Sequence, residues 1–317
     1  MTKDQLNTLK DHFQGSALGT FVGDAMGREV EGWSWEQIKA RHGILKGVGE
    51  GFYTDDTEMM IGIMESLQKD PGFDPALTAQ RFLANFHPFR GYGGRIYGIM
   101  GRLSQGASWD EVGTDSWGNG GAMRIAPIGF FFYDERERLQ DAALVCTQIT
   151  HRHPEGLAGA LAQALGVGMA TQKGVAGETI DPSFFLEEIV EGVQGVDGGV
   201  AAELGRIAEM EQGGDLEAKI ERIAATFPRD VSAIGAVPAA MAAFLINADF
   251  QDTVLTAVNC GGDTDTIGAM AGALAGAYYG YSSIPSTWLE PLENGEKGKD
   301  YVASLAEELA RIKTEEQ

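Results

Sequence analysis

Apolar residues along this chain recur three and four apart rather than alternately, which predicts helices almost throughout. Residues 1–26 suit an opening helix, and 57–69 a second one, stopped by Pro71-Gly72. The same period predicts helices over 75–87, 141–150, 155–172, 183–193, 197–211, 215–226, 232–246, 251–259, 266–280 and 299–314. Runs of alternating β-branched residues are nearly absent. The best strand candidate is the run Phe130 to Tyr133, "FFFY". The expected class is all-α. Without a Ser- or Pro-rich linker between its halves, the chain reads as one domain over 1–317.

Two of the predicted helices carry glycine every four residues. In the later one, Gly268, Gly272, Gly276 and Gly280 form a stripe with Ala271 and Ala275 beside it. Each glycine costs about 1 kcal/mol against alanine in a helix. Close backbone packing against another helix is the natural offset, so this stretch should lie at the centre of the molecule.

Composition changes the picture at one point. The formal charge is −22, from 46 acidic and 24 basic residues. A field of that sign repels nucleic acids and anionic membrane surfaces. An anionic ligand would therefore need local compensation from a cation or from helix N-termini. The carboxylates crowd 187–221 and 290–317, which read as solvated helix faces. Cys146 and Cys260 fit neither a disulfide framework nor a zinc site and read as core thiols. The N-terminus is polar, without an apolar signal segment. Ile267–Gly280 is too short and too weakly apolar for a membrane span of ~20 residues. A soluble, cytoplasmic protein is expected.

Two acidic clusters carry the candidate chemistry. Thr54-Asp55-Asp56-Thr57 and Asp263-Thr264-Asp265-Thr266 each follow a glycine-containing loop and each precede an apolar helix. Capping accounts for one Asp or Thr per helix start, but not for four aspartates with flanking threonines. Carboxylate and hydroxyl oxygens suit Mg2+, Mn2+ or Ca2+, and neither cluster contains the Cys or His that zinc prefers. An EF-hand is excluded, because Ile267 and Leu274 stand where its loop needs ligands. If the clusters meet, their carboxylates could hold two divalent ions, which polarise oxygens and activate water.

Three further segments bear on a site. Asp24 sits between glycines at an apparent helix end, followed by Glu29 and Glu31. The Gly-Asn-Gly-Gly turn at 118–121 can present successive backbone N–H groups to an anion. It is not a P-loop, and "RGYGG" at 90–94 fails the dinucleotide fingerprint because Ile96 replaces its last glycine. His151 and His153, two apart before Pro154, cannot share one helix face as a zinc pair, whereas one histidine could bond a ligand.

Together "GDAMGREVE", "YTDDTEMM", "GNGGAMRIAPIG", "TH" and "GGDTDTIGAMAGALAGAYYG" resemble the ADP-ribosylglycohydrolase family, including ADP-ribosyl-dinitrogen reductase hydrolase-like members. The resemblance spans roughly 13–292 and includes a closing "IPSTWLEPLE". It implies a compact, orthogonally packed helical bundle with two Mg2+ or Mn2+ in a central cleft. By position it implies Thr54, Asp55, Asp56, Asp263, Asp265 and Thr266 as metal ligands. Glu31 would guard or join the metal site, with Asp24 structural. Ser116, Gly118, Asn119 and Gly120 would form a diphosphate loop, with His151 near the bound ADP-ribose.

The implied reaction cleaves the N- or O-glycosidic bond between ADP-ribose and a protein side chain, or releases ADP-ribose from O-acyl-ADP-ribose. Such cleavage passes through an oxocarbenium-like state, and one carboxylate must move a proton. Glu31 and Asp56 are the candidates. Some arginine-processing members carry an aspartate where this chain reads "RGYGGR", so the resemblance leans towards serine-linked or free conjugates. The expected protein is a monomer that binds ADP-ribose or ADP-ribosylated protein, and neither nucleic acid nor membrane. The rival readings are a catalytically silent ADP-ribose binder, a dinuclear-metal phosphoester hydrolase and a metal-free structural protein.

Overall fold

The glycine stripe finds its partner in the first helix. In a computed structural model describing residues 3–211 and 213–315, the N-terminal helix Lys3–Gly27 lies against the central helix Thr264–Tyr279. Gly15, Gly19, Gly23 and Gly27 on the first meet Gly276, Gly272, Gly268 and Thr264 on the second, backbone to backbone. A Cβ added at Gly19 or Gly272 would overlap the other residue's carbonyl oxygen. Only hydrogen fits there. Gly280 departs from the stripe, because it ends the central helix at φ +81°. Gly272→Ala should destabilise the protein by about 1–3 kcal/mol, the usual range for overpacking a tight contact. Urea denaturation checks this, and an unchanged midpoint would contradict the close approach.

The remaining helices wrap this pair. Pro154–Ala176 and Ala233–Leu245 pack on the central helix, as does Phe250–Asn259, while Lys299–Glu315 covers the N-terminal helix. Seventeen α-helices and five short 3-10 turns account for the regular structure of the described residues, which contain isolated bridges but no strand. The all-α expectation is met. Met1 and Thr2, included in the predicted opening helix, lie outside the described residues, as do residues 212, 316 and 317 of the two acidic runs.

The expected strand is a helix end. Phe130 and Phe131 close the helix Ala126–Phe131, and Phe132 follows it in a turn. All three rings are fully buried, and Phe130 packs on Phe13 with centroids 4.7 Å apart. A segment buried on every side shows no helical period, so its local pattern misleads. The helix expected over 197–211 also breaks, into Gly198–Gly205 and the 3-10 turn Arg206–Glu209. Two helices of Trp35–His42 and Gly94–Ser104 were not foreseen. The first carries a capping box between Ser34 and Gln37, a signal present in the sequence. The second contains Gly98 and Gly101, which mask the period of buried Ile96, Ile99 and Met100.

No helix among the described residues is long and apolar enough to cross a membrane. Cys146 and Cys260 are buried free thiols, as expected.

Candidate active site

Asp24 begins the site from below. Fully buried, its carboxylate accepts the Thr54 N–H at 3.0 Å on both oxygens, the Thr57 N–H at 3.1 Å and the Thr57 hydroxyl at 2.5 Å. It thereby ties the N-terminal helix to the start of the helix Asp55–Lys69, the structural part expected of it. Burial nevertheless pushes its carboxyl up to about 6.

Capping uses less of the two clusters than their composition offers. Thr54 caps the helix Asp55–Lys69 by accepting the Asp56 N–H at 3.4 Å. Asp55 and Asp56 are left over. At the central helix Asp263 stands in the cap position but makes no side-chain cap bond. It accepts instead from Asn119 Nδ2 at 2.6 Å.

The two helix starts face one another. A Gly-Gly turn, with Gly261 at φ +80° and Gly262 at +88°, presents Asp263. Gly262 lies so close to the Arg229 carbonyl that a Cβ would overlap it. Gly32 N–H donates to Gly262 O and Gly262 N–H to Trp33 O, both at 2.8 Å, which draws the loop after Val30 onto this turn. As a result Glu31, Asp263 and Asp265 each offer a carboxylate oxygen within 4.8 Å of the others.

Like charges crowd this space. Asp55, half-buried, is pushed up to about 8 by burial first and then by Asp24. Asp56 and Asp265 are held well above the carboxylate range by burial, Asp56 also by Asp24 and Asp265 also by Asp56. Burial and Asp263 raise Glu31, the one exposed member. Asp56 Oδ2 accepts from the Thr54 hydroxyl at 3.2 Å, but its buried Oδ1 has no hydrogen-bond partner. A buried carboxylate oxygen without a donor, among other carboxylates, suits a cation.

The opposite wall is a glycine-rich loop held from both sides. Thr114 N–H donates to Thr150 O at 3.1 Å and Arg152 N–H to Thr114 O at 2.9 Å. On the other side Asn119 N–H donates to Val231 O at 3.0 Å. His151 comes to this loop, whereas His153 caps the helix Pro154–Ala176 by accepting the Glu155 N–H. The two histidines therefore do different work.

Between the walls lies a cavity of about 420 Å3. Glu31, Thr54, Asp55, Asp56, Ser116, Gly118, Asn119, Gly120, His151, Asp263, Asp265 and Thr266 all line it. The twelve residues that the family resemblance implies for metal and ligand are thus brought to one place, whereas Asp24, Glu29 and His153 are not among the residues lining the cavity. The "RGYGGR" loop, which bears on acceptor preference in the sequence, also lines it through Gly91, Gly93, Gly94 and Arg95, while Trp117 and Val231 were not foreseen. Trp117 is 42% exposed and Val231 59%. The sequence signal for Trp117 was its place inside the loop already singled out.

Fold and cavity together define an all-helical protein with two acidic helix starts facing a glycine-rich loop. Residues 5–317 match the profile of the ADP-ribosylglycohydrolase family, and the chain belongs to that family. It is 30% identical to ADP-ribosylhydrolase ARH3 of Homo sapiens, over 95% of this chain and 93% of that protein. It is 31% identical to an uncharacterized protein of Archaeoglobus fulgidus, over 96% of this chain and 97% of that one. A solved structure described as an ADP-ribosylglycohydrolase-related protein complex superposes with a TM-score of 0.73 at 28% identity. It covers 97% of this chain and 99% of its own.

Proposed function

We propose that this protein, acting as a single domain, hydrolyses the glycosidic bond between ADP-ribose and an acceptor and releases ADP-ribose. The carrying observation is the meeting of both acidic clusters, the glycine-rich loop and His151 around one cavity. Family membership supports the same reading.

The oxygen donors and the orphaned Asp56 Oδ1 fit hard divalent cations. Thr54, Asp55 and Asp56 would hold one Mg2+ or Mn2+, and Asp263, Asp265 and Thr266 a second, with Glu31 beside the latter. Bound there, such ions supply positive charge for the ribose hydroxyls and the attacking water, and offset the −22 charge for an anionic ligand.

The chain's own groups do the rest. Ser116, Gly118 and Asn119 spend their backbone N–H groups within the protein, so the Trp117 and Gly120 N–H groups of this loop are the ones proposed to meet the diphosphate, and Arg95 adds a positive charge to the same cavity. The Trp117 indole offers an exposed flat face for the adenine. Glu31 is the better candidate than Asp56 for moving the proton. Its side chain reaches water and its carboxyl is raised, whereas Asp56 is buried beneath.

Incubating the protein with arginine-linked, serine-linked and O-acetylated ADP-ribose, with Mg2+ or Mn2+ and with EDTA, tests the reading. Mass spectrometry should find intact ADP-ribose from the serine-linked or O-acetylated substrate when metal is present. AMP or phosphate as product would favour phosphoester cleavage, and binding without product would mean a silent receptor. Glu31→Gln should lower kcat by roughly 10²–10⁴-fold, the range of general acid–base catalysis. Trp117→Ala should raise KM about tenfold with kcat retained, as loss of one stacking contact does. An unchanged KM would remove Trp117 from the ligand.

A further inference from the structure

Arg124 is a buried cation that the proposed chemistry leaves unused. It is fully buried, and its guanidinium lies over the Phe82 ring with 4.6 Å to the centroid. Nη1 donates to Met59 Sδ at 3.3 Å, and Nη2 donates to Cys146 O at 3.3 Å and to the Thr150 hydroxyl oxygen at 2.7 Å. That hydroxyl oxygen in turn lies 2.7 Å from His151 Nδ1.

The direction of this chain follows from donor counting. A guanidinium has only donors, so the Thr150 oxygen accepts from Arg124. Thr150 is fully buried, and its one hydroxyl hydrogen needs an acceptor. Among the described residues the acceptor it reaches is His151 Nδ1. Were the proton on Nδ1, the Thr150 hydrogen would be stranded in the interior, which is the costly arrangement.

We propose that Arg124 and Thr150 form a one-way hydrogen-bond relay that locks His151 as the neutral tautomer protonated at Nε2. His151 then presents a fixed donor to a ligand oxygen beside the Ser116–Gly120 loop. Its Nε2 edge is the one that meets the loop, lying 3.1 Å and 3.6 Å from where Cβ atoms on Gly120 and Gly118 would stand. Burial, then Arg124 and Arg95, push the imidazole down to about 3, so the ring stays neutral at physiological pH. Arg124 and Thr150 are positioning residues: they line up a proton and do not take it. The relay selects a ligand that offers an acceptor, such as a phosphate or hydroxyl oxygen, and disfavours one that offers a donor at that point. Naming the ligand as ADP-ribose rests on the proposed function, whereas the tautomer does not.

The test is ¹H–¹⁵N correlation through the imidazole couplings of ¹⁵N-histidine-labelled protein without ligand, with His151 assigned by the signal lost in His151→Gln. The expected pattern is a pyridine-like Nδ1 and a pyrrole-like, protonated Nε2. Thr150→Ser should keep this pattern. Thr150→Val should shift the ring towards the other tautomer and weaken ADP-ribose binding about tenfold, as loss of one ordinary hydrogen bond does. A protonated Nδ1 in the wild type, or an unchanged pattern in Thr150→Val, overturns the relay. Should Thr150→Val fail to fold, the wild-type spectrum and Thr150→Ser decide alone. Should the wild type show the expected tautomer yet bind no ADP-ribose, the functional reading falls and the relay stands.

Discussion

Asp265→Asn is expected to abolish metal-dependent hydrolysis and, at the same time, to raise the stability of the metal-free protein. The two effects share one cause. Asp265 is buried among Asp56, Asp263 and Glu31, and its carboxyl is held well above the usual range. A charge there is a liability to the fold and an asset only to a cation. Asparagine retains the oxygen that accepts the Thr266 N–H at 2.9 Å, so the helix start survives. Removing one preorganised electrostatic group costs on the order of 10²–10³-fold in rate. Removing a buried carboxylate crowded by like charges should add roughly 1–3 kcal/mol to the metal-free fold. Asp55→Asn should behave alike. Product formation under Mg2+ and thermal unfolding in EDTA read the two effects separately. Full activity in either variant would refute the ligand assignment. A lower melting temperature would show that the carboxylate supports the fold.

The second large effect is a dependence of stability on pH that divalent cations reverse. Asp24 and Asp55 rise from an ordinary value of 3.8 to about 6 and about 8 in the fold, because burial disfavours their charged forms. Between these limits the folded state binds more protons than the unfolded one, so stability falls as pH rises. Their contribution is fully present below about pH 4 and is lost by about pH 8. Asp56, Asp265 and Glu31 shift in the same direction. Metal-free protein should therefore melt at a lower temperature at pH 8 than at pH 6. Mg2+ or Mn2+ at a hundred times its dissociation constant should restore about 2.7 kcal/mol. At one fixed ion concentration the restoration should be larger at pH 8 than at pH 6, because fewer protons compete for the carboxylates there. Calorimetry across pH, with EDTA and with each ion, measures both. Equal stabilisation at the two pH values would contradict cation binding by this cluster.

Much of the fold was legible because helical burial is periodic. The helices at 215–226 and 299–314 each bury one face, and their boundaries were found within a few residues, whereas the helix at 57–69 is buried from Asp56 to Leu67 and was marked by its Pro71-Gly72 stop. Phe130 to Phe132 failed for the opposite reason. All faces of that segment are buried, so no polar side remained to reveal the period. Gly94–Ser104 failed because its glycines hid the helix and left only a loop signal.

The sequence by itself determined the chemistry available: oxygen donors in two Thr/Asp clusters, a glycine-rich anion loop, two histidines before Pro154 and a charge of −22. Residue types and short spacings are local properties, and they can be read locally. Only the tertiary structure decided that these pieces share a cavity, because their approach depends on the glycine contact between the first helix and the central one. It alone separated His151 from His153, since a histidine's work depends on what its nitrogens meet. It also decided that Arg95 and Trp117 belong to the site and that Asp24 supports it, because those roles depend on burial and on partners distant in sequence.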